Sequence, residues 1–566
     1  MTVIALAALL LPGVFLATLW GRGLRDGITF VTTAAALAAA WMMLALWWLP
    51  TAGLGFLGWG SAAVALAGLL LLRKRWPALT WSRLTWLPLL AVAALRLYPT
   101  LTLPVAPGAD MSMHGYMAWL IAHADGLPAS HAPLLPIADF GAYAAGLPTL
   151  GAVLSSLSGL DLGRAMLLVA CLVHLLVTGA VYSFCRHRAG DVAALGAAVL
   201  VSVASRDPQA HFLWGGNPTV LALVLIAVGW EAFDRILDGD RSLGAIGVAA
   251  TTFAGALLAH SVLPYAMVYV FAVVVAARAR RLDRGALRSL GAVSAGALLL
   301  VAPYLARVSL SLTPAELDWI RDWQRLPEHV PGGAVALVPL KLLWHLGGRL
   351  GWVPFGALAG GLLWLVVRRQ VRLGDLGVLL VVLALVTNAR LWWLPGSYAL
   401  YPDRIFLLAC LPIARLLAVA LQSLAQLMSR RVLHVAAAAV VGLCAWQTNG
   451  WFLDGRDEVS VTADDQAAFV WIAAHVPQSD ALENNYGDAG LWLPALVGRA
   501  VRTPHVNIVY MDDVAAWAGA LRPRWLFVGA RRVYDANSPW TVDRALVAPE
   551  WRLAFQHGGA AVFERR

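Results

Sequence analysis

Residues Pro107–Pro136 read PGADMSMHGYMAWLIAHADGLPASHAPLLP, and they gather ionisable side chains in a chain that is 60% hydrophobic and only 13% charged. Asp110 and His114 stand four residues apart, so they share one face if a helix begins near Asp110. One interpretation is a carboxylate that stabilises a helix start, followed by a solvated histidine. The other is a carboxylate and imidazole pair at a membrane surface that performs acid–base chemistry. The position of this stretch in the whole chain decides between them.

The composition predicts a polytopic α-helical membrane protein. The 566 residues have a mean hydropathy of +0.71, and soluble proteins carry about twice this charged fraction. About fourteen apolar runs approach the roughly 20 residues that a bilayer requires. The region 244–277 also fits one long helix broken at Pro264. The runs lie at 2–20, 28–50, 53–72, 84–98, 164–185, 192–205, 218–234, 244–260, 263–277, 289–306, 350–367, 375–392, 403–427 and 432–450.

The charge distribution excludes some classes of function. The net charge is +10, but the arginines form short clusters between apolar runs, which is typical of cytoplasmic loops rather than of a nucleic-acid-binding surface. No phosphate-binding loop and no dinucleotide motif is present. The four cysteines lack paired or metal-ligand spacing. We therefore expect no nucleic-acid partner, no nucleotide-driven activity and no metal site built from the cysteines.

Counting runs between the basic clusters places all the clusters on one side of the membrane. The other side, which we predict to be the outer side, receives the loops 99–163 and 307–342 and most of the uncommon polar residues. Such an asymmetry favours a site at the outer membrane surface. A transporter would need polar residues near the middle of its spans, where the sequence has few exceptions, such as Arg96 and His174.

The residues after the last apolar run have a different pattern. We divide the chain into a membrane domain, 1–454, and a small soluble α/β domain on the outer face, 455–566. The pattern predicts a helix over 464–474, a strand over 481–485, a second helix that ends near Gly498, and strands at 525–528 and 560–563.

Two further groups of polar residues fall on the predicted outer side. The stretch WGGNP at 214–218 predicts either a backbone that approaches a ligand closely, with Trp214 and Asn217 binding it, or a turn that starts the next helix. Asp207 and His211 precede it and again stand four residues apart.

Arg390 and Arg404 flank an aromatic segment at the outer ends of two runs. Guanidinium groups there suit the phosphate of a lipid, although arginines at span ends also extend to lipid headgroups. His260 at the end of its run and Asp488 in a glycine-rich turn of the tail are further candidates for substrate binding. Each also has a structural interpretation, Asp488 as a helix cap.

The layout resembles the GT-C superfamily of integral membrane glycosyltransferases. The stretches GADMSMH at 108–114, WGGNP at 214–218 and GDAGLWLPALVGR at 487–499 are similar to bacterial membrane proteins labelled "6-pyruvoyl-tetrahydropterin synthase-related", a label that implies no pterin chemistry. The resemblance implies a sugar donor carried on a polyprenyl phosphate, and an acidic residue at Asp110. Met111 follows where a second acid stands in some members of the superfamily.

We therefore expect a glycosyltransferase of a bacterial cytoplasmic membrane, with its active site on the extracytoplasmic face. Asp110 is the predicted general base, His114 its assistant, and Arg390 or Arg404 the ligand of the donor phosphate. The expected acceptor is a saccharide, lipid or protein, and a divalent cation, Mg or Mn, could assist. The alternatives are a transporter or flippase for a lipid-linked saccharide and a non-catalytic scaffold for envelope assembly. We expect the tail to help choose the acceptor rather than to perform the transfer.

Overall fold

In a computed structural model the chain is mostly α-helical, with one small sheet in its C-terminal part. The structure describes residues 1–21, 24–137, 140, 144–311, 339–371, 373–387, 402–427, 429, 442, 458–505, 512–533 and 538–566. One cluster of buried apolar side chains runs from the helices into the C-terminal part, where Leu482, Trp492 and Phe527 belong to it. The two parts are therefore packed together.

Many of the described helices coincide with apolar runs, because a backbone inside lipid must satisfy its own hydrogen bonds, and the run 432–450 lies outside the described residues except for residue 442. The helices are α1 (Thr2–Trp20), α2 (Gly27–Trp48), α3 (Ser61–Leu71), α4 (Arg83–Leu97), α5 (Pro99–Thr102), α6 (Ala109–Ala124), α7 (Gly146–Ser158), α8 (Leu162–Val199), α9 (Arg206–Trp214), α10 (Asn217–Leu237), α11 (Leu243–Ala259), α12 (Val262–Ala277), α13 (Arg284–Leu300), α14 (Ala302–Ser311), α15 (Pro339–Leu350), α16 (Trp352–Val367), α17 (Leu373–Thr387), α18 (Pro402–Ala425), α19 (Ala463–His475), α20 (Leu493–Val497), α21 (Asp512–Ala520) and α22 (Val542–Val547).

Length and composition identify the helices that can cross a membrane. Within the described residues, α1, α2, α8 with the five residues after it, and most of α18 are long and apolar enough. Helices α13 and α14, which meet at a 62° bend, give a fifth span if they act together. Seven further apolar helices have 10–17 residues. The chain is thus a helical membrane protein, whereas the predicted count of about fourteen spans is not confirmed.

Helix α8 consists of two segments that reverse direction at Gly190. This residue has φ 61° and ψ 170°, outside the helical region. The hydroxyl oxygens of Thr178 and Ser202 lie 2.7 Å apart, whereas 24 residues of continuous helix would extend about 36 Å. The reversal follows the basic cluster at 186–188, as the separate apolar runs on either side of it predict.

The chain reverses a second time between α11 and α12. His260 has an extended backbone, with φ −164° and ψ 116°. The rings of Phe253 and Phe271 lie 5.2 Å apart, although 18 residues of helix would separate them by about 27 Å. The break therefore comes at His260, before Pro264, and the region 244–277 is not one long helix.

A buried arginine fastens the end of the second segment of α8. Residues Leu200–Ala204 form a π-helical turn, in which the usual helical hydrogen bonds are shifted. Arg96 of α4 is fully buried; it donates to the carbonyl of Ser202 and to Oε1 of Gln209 at 3.4 Å. Arg96 thus joins α4 to the π-helical turn and to α9.

Charged side chains inside α10 and α18 neutralise one another. The carboxylate of Asp234 accepts a hydrogen bond from Arg415 and lies 3.2 Å from Arg278. The Arg415 guanidinium also lies 3.6 Å from Asp375. Buried charges persist only when they are paired, and removing one partner leaves the other uncompensated. The helices therefore bury more charge than the two exceptions expected from the sequence.

The C-terminal sheet has four strands in the order β1 (Leu482–Glu483), β2 (Trp525–Val528), β4 (Ala560–Arg565) and β3 (Trp551–His557). Strands β1 and β2 are parallel, and β4 is antiparallel to both β2 and β3. Helix α19 contacts β3 and β4. It begins with a capping box, in which Thr462 and Asp465 satisfy each other's backbone N–H groups.

These elements match the predicted helix over 464–474 and the predicted strands at 525–528 and 560–563. The predicted strand over 481–485 shortens to two residues, and the second helix to the turn and short α20. Strand β3 was not predicted. Most of its side chains are exposed, because it forms the edge of the sheet, and it therefore lacks the buried alternation that marks a strand in a sequence.

The C-terminal part packs directly onto the start of α6. The backbone N–H of Gly108 donates to the carbonyl of Val459 over 2.8 Å. Beside it, Gly115 leaves room for an aromatic ring, since a Cβ there would lie 2.6 Å from the indole of Trp492. Asp110 lies between these two contacts in the sequence, so the C-terminal part covers its surroundings.

Candidate functional site

Two glycines let the loop before α6 cross the turn after α9. Gly108 and Gly215 both have φ +101°, a conformation that residues with a side chain rarely adopt. A Cβ on Gly108 would lie 2.1 Å from the carbonyl carbon of Trp214, and one on Gly215 would lie 2.6 Å from the backbone nitrogen of Met111. The WGGNP turn therefore approaches the start of α6, and it also begins α10.

Asp110 stands in the first turn of α6 and forms no capping hydrogen bond. Its Oδ1 lies 3.1 Å from Nε2 of His505, and its Oδ2 accepts from Nη2 of Arg404 at 3.4 Å. Burial alone would raise the pKa of Asp110, but the hydrogen bond and charge of His505 and the charge of Arg404 lower this pKa to about 2. Asp110 is therefore ionised at neutral pH.

Arg404, near the start of α18, contacts Asp110, His260 and Trp214. Besides Asp110, its Nη1 lies 2.9 Å from Nε2 of His260, and its guanidinium lies 5.4 Å from the centre of the Trp214 ring. Arginine can only donate, so the His260 ring accepts through Nε2 and carries its proton on Nδ1. The structure thus brings together a carboxylate, a guanidinium, two imidazoles and an indole from five separate chain segments.

His114 lies one turn after Asp110 on the same helix but is only 4% exposed. Burial lowers its pKa, and although the charge of Asp110 raises it, Arg404 and His505 lower it further, to about 4. His114 is therefore a neutral, buried imidazole at neutral pH. The interpretation of His114 as a solvated histidine after a helix-start carboxylate is therefore wrong.

Asp207 and His211 form a neighbouring polar group on α9. Nδ1 of His211 lies 2.7 Å from the backbone carbonyl of Asp207, so the two side chains are not paired with each other. Oδ1 of Asp207 accepts from Arg349 of α15 at 3.2 Å. Burial raises the pKa of Asp207 to about 6, against the opposing charge of Arg349. The ring of His211 lies 4.9 Å from that of Trp214, which connects this group to Arg404.

Two predicted substrate-binding residues are engaged inside the protein. Asn217 is fully buried, and its Oδ1 lies 3.0 Å from Nε2 of His174. Asp488 accepts hydrogen bonds from the backbone N–H groups of Gly490 and Gly529 and from the side chain of Asn485, at 2.7–2.8 Å. Both side chains therefore hold local structure, Asp488 within the C-terminal part.

Arg390 lies outside the described residues, as does most of the loop 307–342. Two described residues at the site were not predicted, His505 and Arg349. His505 comes from the C-terminal part, and nothing in its local sequence, Thr503-Pro-His505, points to Asp110. Arg349 did leave a signal, because it lies apart from the basic clusters of the predicted cytoplasmic side.

A metal ion does not fit the residues around Asp110. Within the described ranges, no group of three or more His, Cys, Asp or Glu side chains could hold one. The neighbour of Asp110 is also the cation of Arg404, which would oppose a second positive charge. We therefore derive no step through Mg or Mn.

A cavity of about 760 Å³ lies elsewhere, lined by Asp234, Arg278, Asp375 and Arg415 among others. It surrounds the ion pairs of α10 and α18, where each of these four groups has an opposite charge close by. Paired charges of this kind are typical of structural networks. We therefore place the candidate site at Asp110 and Arg404.

The arrangement of helices and C-terminal sheet defines a class: the chain is an integral membrane protein with the fold of the GT-C glycosyltransferases. It is similar to ArnT from Cupriavidus metallidurans bound to undecaprenyl phosphate, with a TM-score of 0.55 and 13% identity over 85% of this chain and 98% of that one. It is also similar to the oligosaccharyltransferase of Archaeoglobus fulgidus tethered to an acceptor peptide, with a TM-score of 0.52 and 12% identity over 79% of this chain and 69% of that one.

No protein-family model matches the sequence, and no curated protein matches it either. Likeness at 12–13% identity establishes the fold and not the activity. The narrower resemblance to the pterin-labelled family therefore remains a prediction.

Proposed function

We propose that the protein is a membrane glycosyltransferase that moves a sugar from a polyprenyl-phosphate donor to an acceptor. The observation that carries this proposal is the contact of an ionised carboxylate, Asp110, with a guanidinium, Arg404, in one partly buried cluster. Transfer of a sugar from a lipid phosphate needs a proton acceptor for the incoming hydroxyl and a cation for the leaving phosphate. The cluster supplies both, within 3.4 Å of each other.

In the proposed reaction Arg404 holds the phosphate of the donor, because its planar guanidinium pairs with phosphate oxygens. Trp214 and His260 keep the guanidinium in place. Arg390 remains a predicted second ligand of the phosphate. Binding of undecaprenyl phosphate by the structurally similar ArnT, and of an acceptor peptide by the similar oligosaccharyltransferase, supports a lipid-linked donor and an acceptor presented at the same site.

Asp110 takes the acceptor proton in this reaction. His114 lies beside Asp110 as an uncharged imidazole. The approach next to Trp214 is lined by Asp207, His211 and Arg349.

The positions of the basic clusters support the extracytoplasmic side of a bacterial inner membrane for this site. They also support 455–566 as an extracytoplasmic domain that covers it. The acceptor is a saccharide, lipid or protein whose hydroxyl group reaches Asp110.

The test is sugar transfer by the purified protein and by its Asp110→Asn variant. Labelled polyprenyl-phosphate sugars are offered with membrane lipid, glycan and peptide acceptors. We expect transfer by the native protein and a loss of about 10²- to 10⁴-fold in the variant, which is the usual contribution of a positioned base. Asp161→Asn is the matched control, since asparagine retains the helix cap that Asp161 forms at α8. Transfer that does not depend on Asp110 would remove Asp110 as the base, and a native protein that transfers no sugar would end the proposal and favour a scaffold.

The second candidate is a flippase for a lipid-linked saccharide. The observation that favours it is the cavity of about 760 Å³ among charged residues inside α10 and α18, because a transporter needs polar groups within its spans. Proteoliposomes loaded with labelled lipid-linked sugar separate the two functions. Translocation without covalent transfer would replace our proposal with this candidate.

A further inference from the structure

The C-terminal part reaches the site through the side chain of His505. His505 is separated from Asp110 by 395 residues, yet its Nε2 lies 3.1 Å from Oδ1 of that carboxylate. The His505 side chain is only 6% exposed. Its ring also lies 6.1 Å from the ring of Tyr486, in an edge-to-face arrangement. His505 is therefore held in a fixed position against Asp110.

The C-terminal part, which carries His505, is also fixed to α6 by contacts that do not involve His505. The Gly108–Val459 backbone hydrogen bond precedes Asp110 by two residues, and Trp492 packs against Gly115 one turn and a half after it. Ala109, next to Asp110, belongs to a small apolar cluster with Val459 and Leu491. These contacts surround Asp110 and would bring the C-terminal part there even without His505.

The two oxygens of Asp110 have different partners. Oδ1 faces His505 of the C-terminal part, and Oδ2 faces Arg404 of α18. The Asp110 side chain is still 26% exposed, so an acceptor can reach it. Once a donor phosphate draws the Arg404 guanidinium, Oδ2 becomes the oxygen that is free to accept a proton, while His505 keeps hold of Oδ1.

We propose that His505 is a positioning residue that acts through Asp110, so that the C-terminal part completes the catalytic centre. This inference rests on the proposed function. The tail then contributes to the transfer itself, beyond the choice of acceptor expected from the sequence. His505 donates its Nε2–H to Oδ1 and fixes the rotation of the carboxylate, which directs Oδ2 at the acceptor.

The step balances with the groups present. The acceptor oxygen forms a bond to the anomeric carbon of the sugar, and the bond from that carbon to the phosphate oxygen breaks. The electron pair leaves with the polyprenyl phosphate, whose charge Arg404 neutralises. The acceptor proton moves to Oδ2 of Asp110 and is later released to water. His505 keeps its own proton throughout, so it is not itself a proton acceptor.

The experiment compares His505→Ala, His505→Gln and the control His557→Gln in the full-length protein. Glutamine places an amide nitrogen close to the position of Nε2, so His505→Gln restores the donor to Oδ1, whereas alanine removes it. His557 lies in the same part of the chain and is 59% exposed. Thermal denaturation of each variant in detergent shows that it folds. Steady-state transfer is measured with varied donor and with varied pH.

For His505→Ala we expect kcat to fall about 10- to 100-fold while the KM for donor changes less than about 3-fold, because the lost contact serves the chemical step. The pH at which activity falls on the acid side should rise. Loss of His505 raises the pKa of Asp110, which then faces only Arg404 and His114. His505→Gln should keep kcat within about 10-fold of the native value, and His557→Gln should match the native protein.

The inference is overturned if His505→Ala has the kcat of the native protein. It is also overturned if kcat falls in both His505→Ala and His505→Gln while the pH at which activity declines on the acid side stays the same. The proposed function fails differently. If the native protein transfers no sugar, the function itself is wrong. If Asp110→Asn is fully active, another group is the base, and the inference about His505 fails with the role of Asp110. If Asp110→Asn is inactive and His505→Ala is as active as the native protein, only the role of His505 is wrong.

Discussion

Nη1 of Arg404 donates a hydrogen bond to Nε2 of His260 over 2.9 Å. The two residues come from the ends of different helices, which the sequence predicts to lie on the outer side, and His260 lies where the chain reverses between α11 and α12. While Nη1 contacts His260, Nη2 of the same guanidinium donates to Oδ2 of Asp110. This bond therefore orients the group that we propose to bind the donor phosphate.

Replacement of Arg404 by lysine should weaken donor binding. An ammonium group keeps the charge but cannot contact His260 and a phosphate with two coplanar donors. We expect kcat/KM for donor to fall about 10- to 100-fold, which corresponds to one hydrogen bond to a charged group. Arg164→Lys is the control, because Arg164 donates to the carbonyls of Thr100 and Leu103. Equal kinetics for Arg404→Lys and the native protein would remove Arg404 from the donor site.

The rate of transfer should be nearly constant from about pH 5 to about pH 8. The pKa of Asp110 is lowered to about 2 and that of His114 to about 4, so Asp110 stays ionised and His114 stays neutral over this range. Protonation of Asp110 removes the proton acceptor only at still lower pH. The measurement is kcat/KM against pH with a phosphodiester donor. A decline with a midpoint near pH 6 in the native protein would contradict Asp110 as the essential base.

The Asp207–Arg349 pair should make stability depend on pH. The pKa of Asp207 in the folded protein is about 6, above its ordinary value of 3.8. As pH rises, the unfolded chain therefore loses the Asp207 proton before the folded protein does. The free energy of unfolding consequently falls between about pH 4 and about pH 6. Arg349→Met removes the opposing charge and extends this loss above pH 6. We expect a cost on the order of 3 kcal/mol at pH 7.5, and less at pH 5.

Thermal denaturation in detergent measures this effect. Asp207→Asn removes the buried charge, so the double variant Asp207→Asn/Arg349→Met should recover most of the stability lost by Arg349→Met and should show no pH dependence from this pair. Equal losses at pH 5 and pH 7.5 for Arg349→Met would show that Arg349 acts through packing rather than charge.

Gly215→Ala should disrupt the site, whereas Gly239→Ala should not. Both glycines have positive φ, +101° and +110°, so both alanines carry backbone strain of about 1–2 kcal/mol. Only the alanine at 215 would also press against the backbone of Met111, since nothing lies within 4 Å of a Cβ at 239. We expect transfer activity to be lost in Gly215→Ala and kept in Gly239→Ala. Similar activity in both variants would show that the loop crossing is not needed.

The sequence predicts the helices and the convergence of Asp110, Trp214, His260 and Arg404, because hydropathy orders the spans and basic clusters orient them. Charge inside the spans was underestimated. Burying either Asp234 or Arg415 alone would cost free energy. That the two charges neutralise each other is known only from the packing of α10 against α18.

His505 could not be predicted for a related reason. Its contact with Asp110 depends on how the C-terminal part sits on α6, and local sequence carries no information about that position. Strand β3 was missed because an exposed edge strand lacks the buried alternation that identifies a strand. Arg349 was within reach of sequence reasoning, since it is a basic residue on the side that basic residues usually avoid.

The separation of 395 residues between Asp110 and His505 also has a consequence for biosynthesis. A ribosome delivers Asp110 to the membrane long before His505 has been translated, and loop closure over such a distance is slow compared with helix formation. During insertion the emerging helices therefore carry Asp110 without the partner that fixes it. On the proposed mechanism, the nascent protein therefore transfers sugar well below its full rate until the tail has been translated and has folded onto α6.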